Sequence, residues 1–459
     1  MTQHSGSLLK YPARVSLFWY LTAILAGGVI LHQPFCRHVS VEPITFIDAL
    51  FTSTSATCVT GLTVRSTGND FNIAGQAVIL ALIQLGGIGI ITVTTFAMVQ
   101  MGNHANLRQR SVIVETLGVS DRADLRSILR DVLWATIFFE GTGAAILAMR
   151  FWLAYDMEPL EAIWFGTFHA VSAFCNGGFS LLDDNLMRFQ ADPVVNLVIC
   201  EMIIVGGIGF PVIIDVRRSW KGRNRGWYHL TLHSKIMIIG TASLLTLSVL
   251  CFLLLEAEGV LLDMPWWERG MTSFFHAVTC RTAGFNTVDV AQLSDATLFL
   301  TILLMVIGAG PCSAAGGFKV STLAILLLYA WSRFRGAPRI NVFRRTIPAE
   351  LAGRATALAM LFGVVVVVVV TIMLVVEKND LGAQNAPRHF LNILFEVASA
   401  LGTVGLSTGI TPALSDLGKM VIVPVMFIGR LGPISLFVAV SLPEHRKSLE
   451  FAREEPLLG

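Results

Sequence analysis

The 459-residue chain is 54% hydrophobic and only 14% charged, with a mean hydropathy of +0.69, against roughly 25% charged residues in an ordinary soluble domain. That composition excludes a soluble globular enzyme as the default and leaves room for many membrane crossings of about 20 apolar residues each. The net charge of +2, from 33 Lys and Arg against 31 Asp and Glu, is uninformative until the charges are placed along the chain.

In chain order, the start MTQHSGSLLKYPARVSLFWY lacks a compact charged, apolar and small-residue cleavage pattern, and reads as a short tail entering a first membrane helix. First helices are predicted over about 15–35, 132–154, 235–256 and 357–376, and second helices over about 73–101, 194–216, 296–332 and 420–442. Between the members of each pair lies an apolar segment of about 12 to 16 residues, such as PITFIDALFTSTSATC, too short to span and so read as re-entrant. The run GVVVVVVVT at 363–371 is β-branched yet is read as helix, because backbone groups in lipid must pair within their own segment.

The pairs form a repeat. ATCVTGLTV, AFCNGGFSL, CRTAGFNTV and LGTVGLSTG centre on Gly61, Gly178, Gly284 and Gly405, which are 117, 106 and 121 residues apart. Ten residues before each glycine stands a phenylalanine: Phe51, Phe168, Phe274 and Phe395. The tetrapeptide FHAV at 168 and 275 pairs only if the third unit carries a one-residue gap. A second cluster follows each glycine: GGIG from Gly86, GGIG from Gly206, GAGP from Gly308 and GRLG from Gly429, suited to close helix packing or to ion contact. The expected fold is an all-α polytopic membrane protein of four pseudosymmetric units, with boundaries 1–101, 102–217, 218–333 and 334–459. Each unit supplies two spanning helices and one re-entrant half-helix. Irregular backbone at membrane depth must face protein or a water-filled cavity, so four such loops imply a shared aqueous centre.

Charge placement sets the orientation. Arg108, Arg110, Arg122, Arg126 and Arg130, then Arg217, Arg218, Lys221, Arg223, Arg225 and Lys235, then Arg333, Arg335, Arg339, Arg344, Arg345 and Arg354 lie between units, so those loops and both termini are expected to be cytoplasmic. The opposite side carries Asp70, Asp156, Glu158, Asp183, Asp184, Asp263, Asp289 and Asp380, a mouth that would concentrate cations. Seven cysteines, at 36, 58, 175, 200, 251, 280 and 312, form no CxxC and suggest neither a disulfide framework nor a zinc module.

VTGLTV, CNGGFSL, RTAGFNT and GTVGLSTG on four such units resemble the Trk/Ktr/HKT superfamily of potassium transporters over nearly the whole chain. Eight helices, with the first unit at the N-terminus, are most similar to the Ktr-type membrane subunit. The resemblance implies potassium uptake across the bacterial inner membrane, sodium dependence, a homodimer, and a cytoplasmic ring of RCK-type nucleotide-binding subunits through which alone ATP and ADP would act. The K⁺ selectivity filter is expected in the carbonyls of Cys58, Val59, Thr60 and Gly61; Cys175, Asn176, Gly177 and Gly178; Arg281, Thr282, Ala283 and Gly284; and Gly402, Thr403, Val404 and Gly405. Carbonyls can replace the hydration shell of a cation, and half-helices aim their carbonyl-rich ends at it. In plant relatives a Ser at the first filter position accompanies Na⁺ preference, so Gly61 leans toward K⁺.

IGAGPCSAAGGFKVST at 307–322 cannot continue a helix. The resemblance places an intramembrane gating loop there, on Gly308, Gly310, Pro311, Ser313, Gly316 and Gly317; the alternative is a static kink. Arg430 stands where the other units have Gly87, Gly207 and Ala309. A central membrane Arg costs at least about 2.5 kcal/mol to insert, so it either faces the pore as a positive barrier or pairs with Glu140 or Glu201. Arg281 is expected to turn from the ion toward an acid such as Glu396. Cys58, Cys175, Cys280, His169 and His276 are read as packing behind the filter rather than as ligands. No catalytic constellation, covalent cofactor or nucleic-acid partner is expected. The rival readings are a sodium-coupled solute transporter, a membrane enzyme or scaffold, and a poorly selective cation pore of the same superfamily.

Overall fold

The structure, a computed structural model, describes residues 12–100, 125–221, 226–311, 313–378 and 388–432. The N-terminal tail, Arg108, Arg110, Arg122, Arg223, Arg225, Cys312, Asp380 and the C-terminal tail lie outside them. Regular secondary structure in the described chain is almost all helical. The first unit comprises α1 (Pro12–Leu31), the half-helix α2 (Phe46–Thr57) and α3 (Ile73–Gln100). The second comprises α4 (Leu125–Ala154), the half-helix α5 (Pro159–Phe174), α6 (Pro193–Ile208) and α7 (Phe210–Lys221). The third comprises α8 (Leu232–Leu255), the half-helix α9 (Trp266–Thr279), α10 (Asp295–Val306) and α11 (Val320–Phe334). The fourth comprises α12 (Ala349–Val376), the half-helix α13 (His389–Gly402) and α14 (Asp416–Leu431).

Local sequence explains the starts. Thr45 caps α2 through the amide of Asp48, Asp192 caps α6 ahead of Pro193, and Ser294 and Ser415 cap α10 and α14, each satisfying orphan N–H groups of the first turn. By length and composition, three described helices suffice to cross a membrane: Arg130–Ala154, Leu232–Leu255 and Ala349–Val376. The valine run lies inside α12, as lipid solvation requires.

Packing closes the units into a ring. Within a unit, the half-helix packs on its own helices, as α2 does on α1 and α3. Between units one rule recurs: each second helix packs on the next unit's half-helix, α3 on α5, α6 on α9, α10 on α13, and α14 back on α2. At the outer rim, first helices are tied to second helices by carboxylates. Asp192 accepts from Arg150 Nε (2.8 Å) and Tyr155 OH (2.9 Å) of the second unit. Glu256 takes the amide of Ser294 (2.9 Å), and Glu377, at the same 38-residue spacing, takes the Ser415 hydroxyl (2.8 Å).

Two expectations need correction. The second helix of the second unit, predicted as continuous over 194–216, bends by 95° between α6 and α7. Gly209 adopts φ +99°, and a β carbon there would meet the Pro311 carbonyl at 2.6 Å, while Pro211 removes an amide from the next turn. The phenylalanine landmark of the third unit is Phe275, not Phe274: Phe51, Phe168, Phe275 and Phe395 are fully buried, whereas Phe274 is only half-buried. The FHAV pairing with its one-residue gap is therefore the right register. The linker before α12 adds one feature the sequence did not suggest. It holds a small hairpin, β1 (Ile340–Val342) and β2 (Arg345–Ile347), turned at Phe343 and Arg344, both of positive φ.

Candidate functional site

The four half-helices end where the glycine-centred segments begin, and these share one backbone pattern. The residue two before each glycine has positive φ: Val59 (55°), Asn176 (58°), Thr282 (70°) and Thr403 (50°). The glycines follow at 92°, 68°, 79° and 93°. Alternating the sign of φ along a strand turns successive carbonyls toward the same side. Holding a non-glycine residue left-handed costs about 1–2 kcal/mol, and the surrounding contacts enforce it. The amides of Thr60, Gly177, Ala283 and Val404 donate to the carbonyls of Ser55 (2.8 Å), Ser172 (2.6 Å), Thr279 (3.0 Å) and Ser399 (2.8 Å). The hydroxyls of the same four residues also hold the loop: Ser55 and Ser399 accept from the amides of Gly61 and Gly405, and Ser172 and Thr279 donate to the carbonyls of Phe179 and Phe285.

The four glycines converge in chain order. A β carbon on Gly61 would lie 3.1 Å from Gly178 Cα, one on Gly178 3.0 Å from Gly284 Cα, one on Gly284 3.2 Å from Gly405 Cα, and one on Gly405 2.9 Å from Gly61 Cα. The same added atoms would strike the carbonyls of Gly177, Ala283, Val404 and Thr60, so each carbonyl preceding a glycine lies beside the neighbouring unit's glycine. No side chain fits this ring. Outside it opens a cavity of about 410 Å³, lined by the four glycines together with Asp70, Asp183, Ser180, Asn286, Ser407 and Thr411. On the inner side, Thr60 Oγ1, Asn176 Oδ1 and Thr403 Oγ1 are buried without a hydrogen-bond partner among the described residues. Oxygen atoms left free beside a ring of carbonyls are what a desolvated cation needs.

Beneath the ring, the break between α10 and α11 forms a loop that touches the other units. The amides of Gly310 and Ala314 donate to the carbonyls of Gly207 (2.8 Å) and Gly206 (3.2 Å), and that of Gly317 donates to Gly429 (3.4 Å). Gly316 and Gly317 press against Thr403 and Gly402, and Ser313 Oγ donates to the Gly310 carbonyl (2.7 Å). Gly308 donates to Phe318 across the base of the loop (2.7 Å), while Pro311 meets Gly209. Arg430, buried, donates to the carbonyls of Ala314 in this loop and Gly86 in the first unit, and reaches Tyr20 OH at 3.4 Å.

Two ion pairs are not formed: the one expected of Arg281 with an acid such as Glu396, and the one left as an alternative for Arg430. Arg430 binds carbonyls rather than Glu140 or Glu201: Glu140 instead accepts from Gln84 (3.0 Å) and Cys175 Sγ (3.7 Å), and Glu201 is exposed on α6. Arg281 does turn behind the third segment, but donates to Thr241 Oγ1 (3.3 Å), while Glu396 accepts from Ser407 and Thr411. Cys58 and Cys280 are buried. The second clusters chiefly serve packing, with Gly86, Gly206 and Gly429 against the carbonyls of Thr57, Phe174 and Leu401, at the ends of the half-helices.

Sequence reasoning missed Tyr20, whose hydroxyl donates to the Gly86 carbonyl (3.0 Å), and it missed Asp48, clamped between Arg65 (3.1 Å) and Lys419 of the fourth unit (2.8 Å). It also missed the hydroxyls of Ser55, Ser172 and Ser399. Their shared position six residues before the glycine is a repeat signal that could have found them.

The TrkH family, described as "Cation transport protein", matches residues 23–449. The chain is 35% identical to Ktr system potassium uptake protein B of Vibrio alginolyticus, over 94% of this chain and 91% of that protein. It is 36% identical to the protein of the same name from Bacillus subtilis, over 97% of both, and 36% identical to potassium/sodium uptake protein NtpJ of Enterococcus hirae, over 98% and 97%. The fold is similar to that of the potassium transporter TrkH from Vibrio parahaemolyticus, with a TM-score of 0.72 at 21% identity, covering 96% of this chain and 86% of that one. The chain belongs to the TrkH/Ktr family of cation transport proteins: it is a multi-pass membrane protein and not an enzyme.

Proposed function

Starting from membership of this family, we propose that the chain takes up K⁺ across the bacterial inner membrane through a pore on the axis of the four units 1–101, 102–217, 218–333 and 334–459. The carrying observation is the ring of four glycines, each beside the preceding carbonyl of the next unit. In this reading the carbonyls of 58–61, 175–178, 281–284 and 402–405 replace the ion's hydration shell. Cations collect in the outer cavity, where Asp70 and Asp183 add negative potential.

The loop over Gly308, Gly310, Pro311, Ser313, Gly316 and Gly317 is the gate, and Arg430 is both its latch and a positive barrier below the filter. Support comes from the bonds of this loop to the second unit at Gly206 and Gly207 and to the fourth at Gly429 and Arg430, with Arg430 also bonded to Gly86 of the first. Opening then requires the loop to release the carbonyls of Gly206, Gly207 and Gly429 and to lose Arg430. Sodium-dependent uptake, a homodimer, cytoplasmic termini, and gating by an RCK-type ring that senses ATP and ADP complete the reading. The Ktr-system names of the relatives and the basic loops between units support it.

The test is uptake of K⁺ and Na⁺ by a potassium-uptake-deficient bacterium expressing this chain, with and without a cytoplasmic regulator, beside Gly405→Ser. K⁺ uptake with high apparent affinity that this substitution weakens is the expected result. Equal uptake of the two ions, or uptake indifferent to Gly405, would discard the selective filter.

A further inference from the structure

Just outside the glycine ring, two of the four units carry a device that the filter reading does not use. Ser180 and Ser407 each stand two residues after the glycine of their unit, and both line the outer cavity. The units are the second and the fourth, which stand opposite one another in the ring. Each serine oxygen accepts from the amide two residues on, that of Leu182 (3.1 Å) and that of Gly409 (3.0 Å). Each hydroxyl hydrogen is drawn into the protein by an acceptor at one matched half-helix position, the residue after the landmark phenylalanine. In the fourth unit that acceptor is Glu396, fully buried, whose Oε2 lies 2.9 Å from Ser407 Oγ and whose Oε1 takes the Thr411 hydroxyl. In the second it is His169, fully buried against Phe151, Phe165 and Phe168. Its Nδ1 lies 2.8 Å from the Phe165 carbonyl, which can only accept, so Nδ1 carries the hydrogen and the Nε2 of the neutral ring, 3.0 Å from Ser180 Oγ, is an acceptor. The other group within reach of that hydroxyl, the Asn185 carbonyl at 3.2 Å, also accepts.

A hydroxyl has one hydrogen and two lone pairs. With the hydrogen given to the buried acceptor and one lone pair to the local amide, each serine keeps one lone pair; at Ser407 it adjoins Thr411 Oγ1 (2.9 Å), whose single hydrogen goes to Glu396 Oε1 and whose oxygen lines the same cavity. The matched positions in the other units do not work this way: His276 bonds Thr301 (3.0 Å), and Thr52 Oγ1 has no partner among the described residues. We propose that Ser180 and Ser407 form an outer binding site for a partly hydrated alkali cation, one level above the glycine ring, and that Glu396 and His169 are positioning residues that keep both hydroxyl hydrogens turned from the ion. Neutral oxygens without opposing hydrogens suit a hard cation that keeps part of its water. This rests on reading the pore as a cation path.

The test is the concentration dependence of K⁺ uptake in cells expressing the full chain. Glu396→Gln puts an amide donor against the hydroxyls and forces a hydrogen outward. The expected result is an apparent KM raised about tenfold with the maximal rate kept within about twofold, the signature of lost binding rather than lost throughput. Ser407→Ala should give the same rise, and the double variant no more than the larger single effect, because Glu396 acts through Ser407. Ser180→Ala should add its own rise. A KM unchanged in both Glu396→Gln and Ser407→Ala overturns the proposal, as does a loss of maximal rate at constant KM. Should Glu396→Gln fail to accumulate in the membrane, Ser407→Ala and Ser180→Ala decide alone. Gly405→Ser in the same assay separates the two readings: uptake indifferent to it defeats the filter, whereas a filter-sensitive protein with unaltered serine variants defeats only the outer site.

Discussion

The glycine ring and the layer beneath it are built on opposite plans. At the ring, four segments repeat one conformation, with positive φ at Val59, Asn176, Thr282 and Thr403 and at the glycine two residues later. Beneath it, the units diverge. The third is broken between Val306 and Val320, the second bends at Gly209, and the fourth inserts Arg430 where glycine or alanine stands elsewhere. A ligand shell around one ion benefits from equal contributions on all sides, whereas a barrier needs only one element that moves and one that holds it. Repetition therefore marks the proposed filter, and departure from repetition marks the proposed gate.

The largest test of that contrast is substitution around the ring. Ala at Gly61, Gly178, Gly284 or Gly405 places a β carbon on left-handed backbone and 2.9–3.2 Å from the next glycine. Each is expected to lower K⁺ uptake by roughly five- to thirtyfold, from about 1–2 kcal/mol of backbone strain alone. The four variants should be alike when uptake is measured in parallel at matched protein levels. One tolerant position would break the fourfold equivalence.

Next in size is Arg430→Ala, which removes the bonds to Ala314 and Gly86. At about 1 kcal/mol or more for each such bond, leak flux of K⁺ without a regulator should rise several-fold or more, read as efflux from loaded vesicles. Unchanged flux from a stably folded variant would remove Arg430 from the gate. No corresponding gain is expected from changing Gly87, Gly207 or Ala309, since the layer beneath the ring is not equivalent between units.

The smallest effect concerns pH. The carboxyl of Asp192 is held below its ordinary range: burial pushes it up, but the hydrogen bonds of Arg150, Tyr155 and the first amides of α6 outweigh that. Glu256 is likewise lowered, burial being outweighed by the hydrogen bonds of Thr297, Ser294 and Val260. A carboxylate whose pKa falls on folding stabilises the protein above its unfolded value, near 4, and that contribution is lost as pH drops through the folded value. Thermal stability in detergent should therefore decline below about pH 4, and Asp192→Asn should flatten the decline. The bonds of Arg430 go to carbonyls and a phenol, none of which titrates there, so acid should loosen the outer rim before the latch.

Much of this was legible along the chain. Four glycine segments at regular spacing, each between two long apolar stretches, imply the four units, the re-entrant half-helices and the glycine ring, because spacing and apolarity are one-dimensional properties and lipid permits few answers. The helix break after Val306 was equally plain, since Gly and Pro act on the backbone where they stand. Partnership is another matter. That Arg430 holds Ala314 and Gly86 rather than an acid, that Arg281 lies on Thr241, that Glu396 takes two hydroxyls, and that Asp48 and Lys419 join across 371 residues all depend on which helix faces which. The register of the third unit, settled by the burial of Phe275, and the bend at Gly209, set against the Pro311 carbonyl, have the same origin. The sequence by itself determined the repeat and its membrane architecture, and only the tertiary structure decided the pairing of buried polar groups, because a buried donor takes whatever acceptor the packing of distant helices leaves within 3 Å or so.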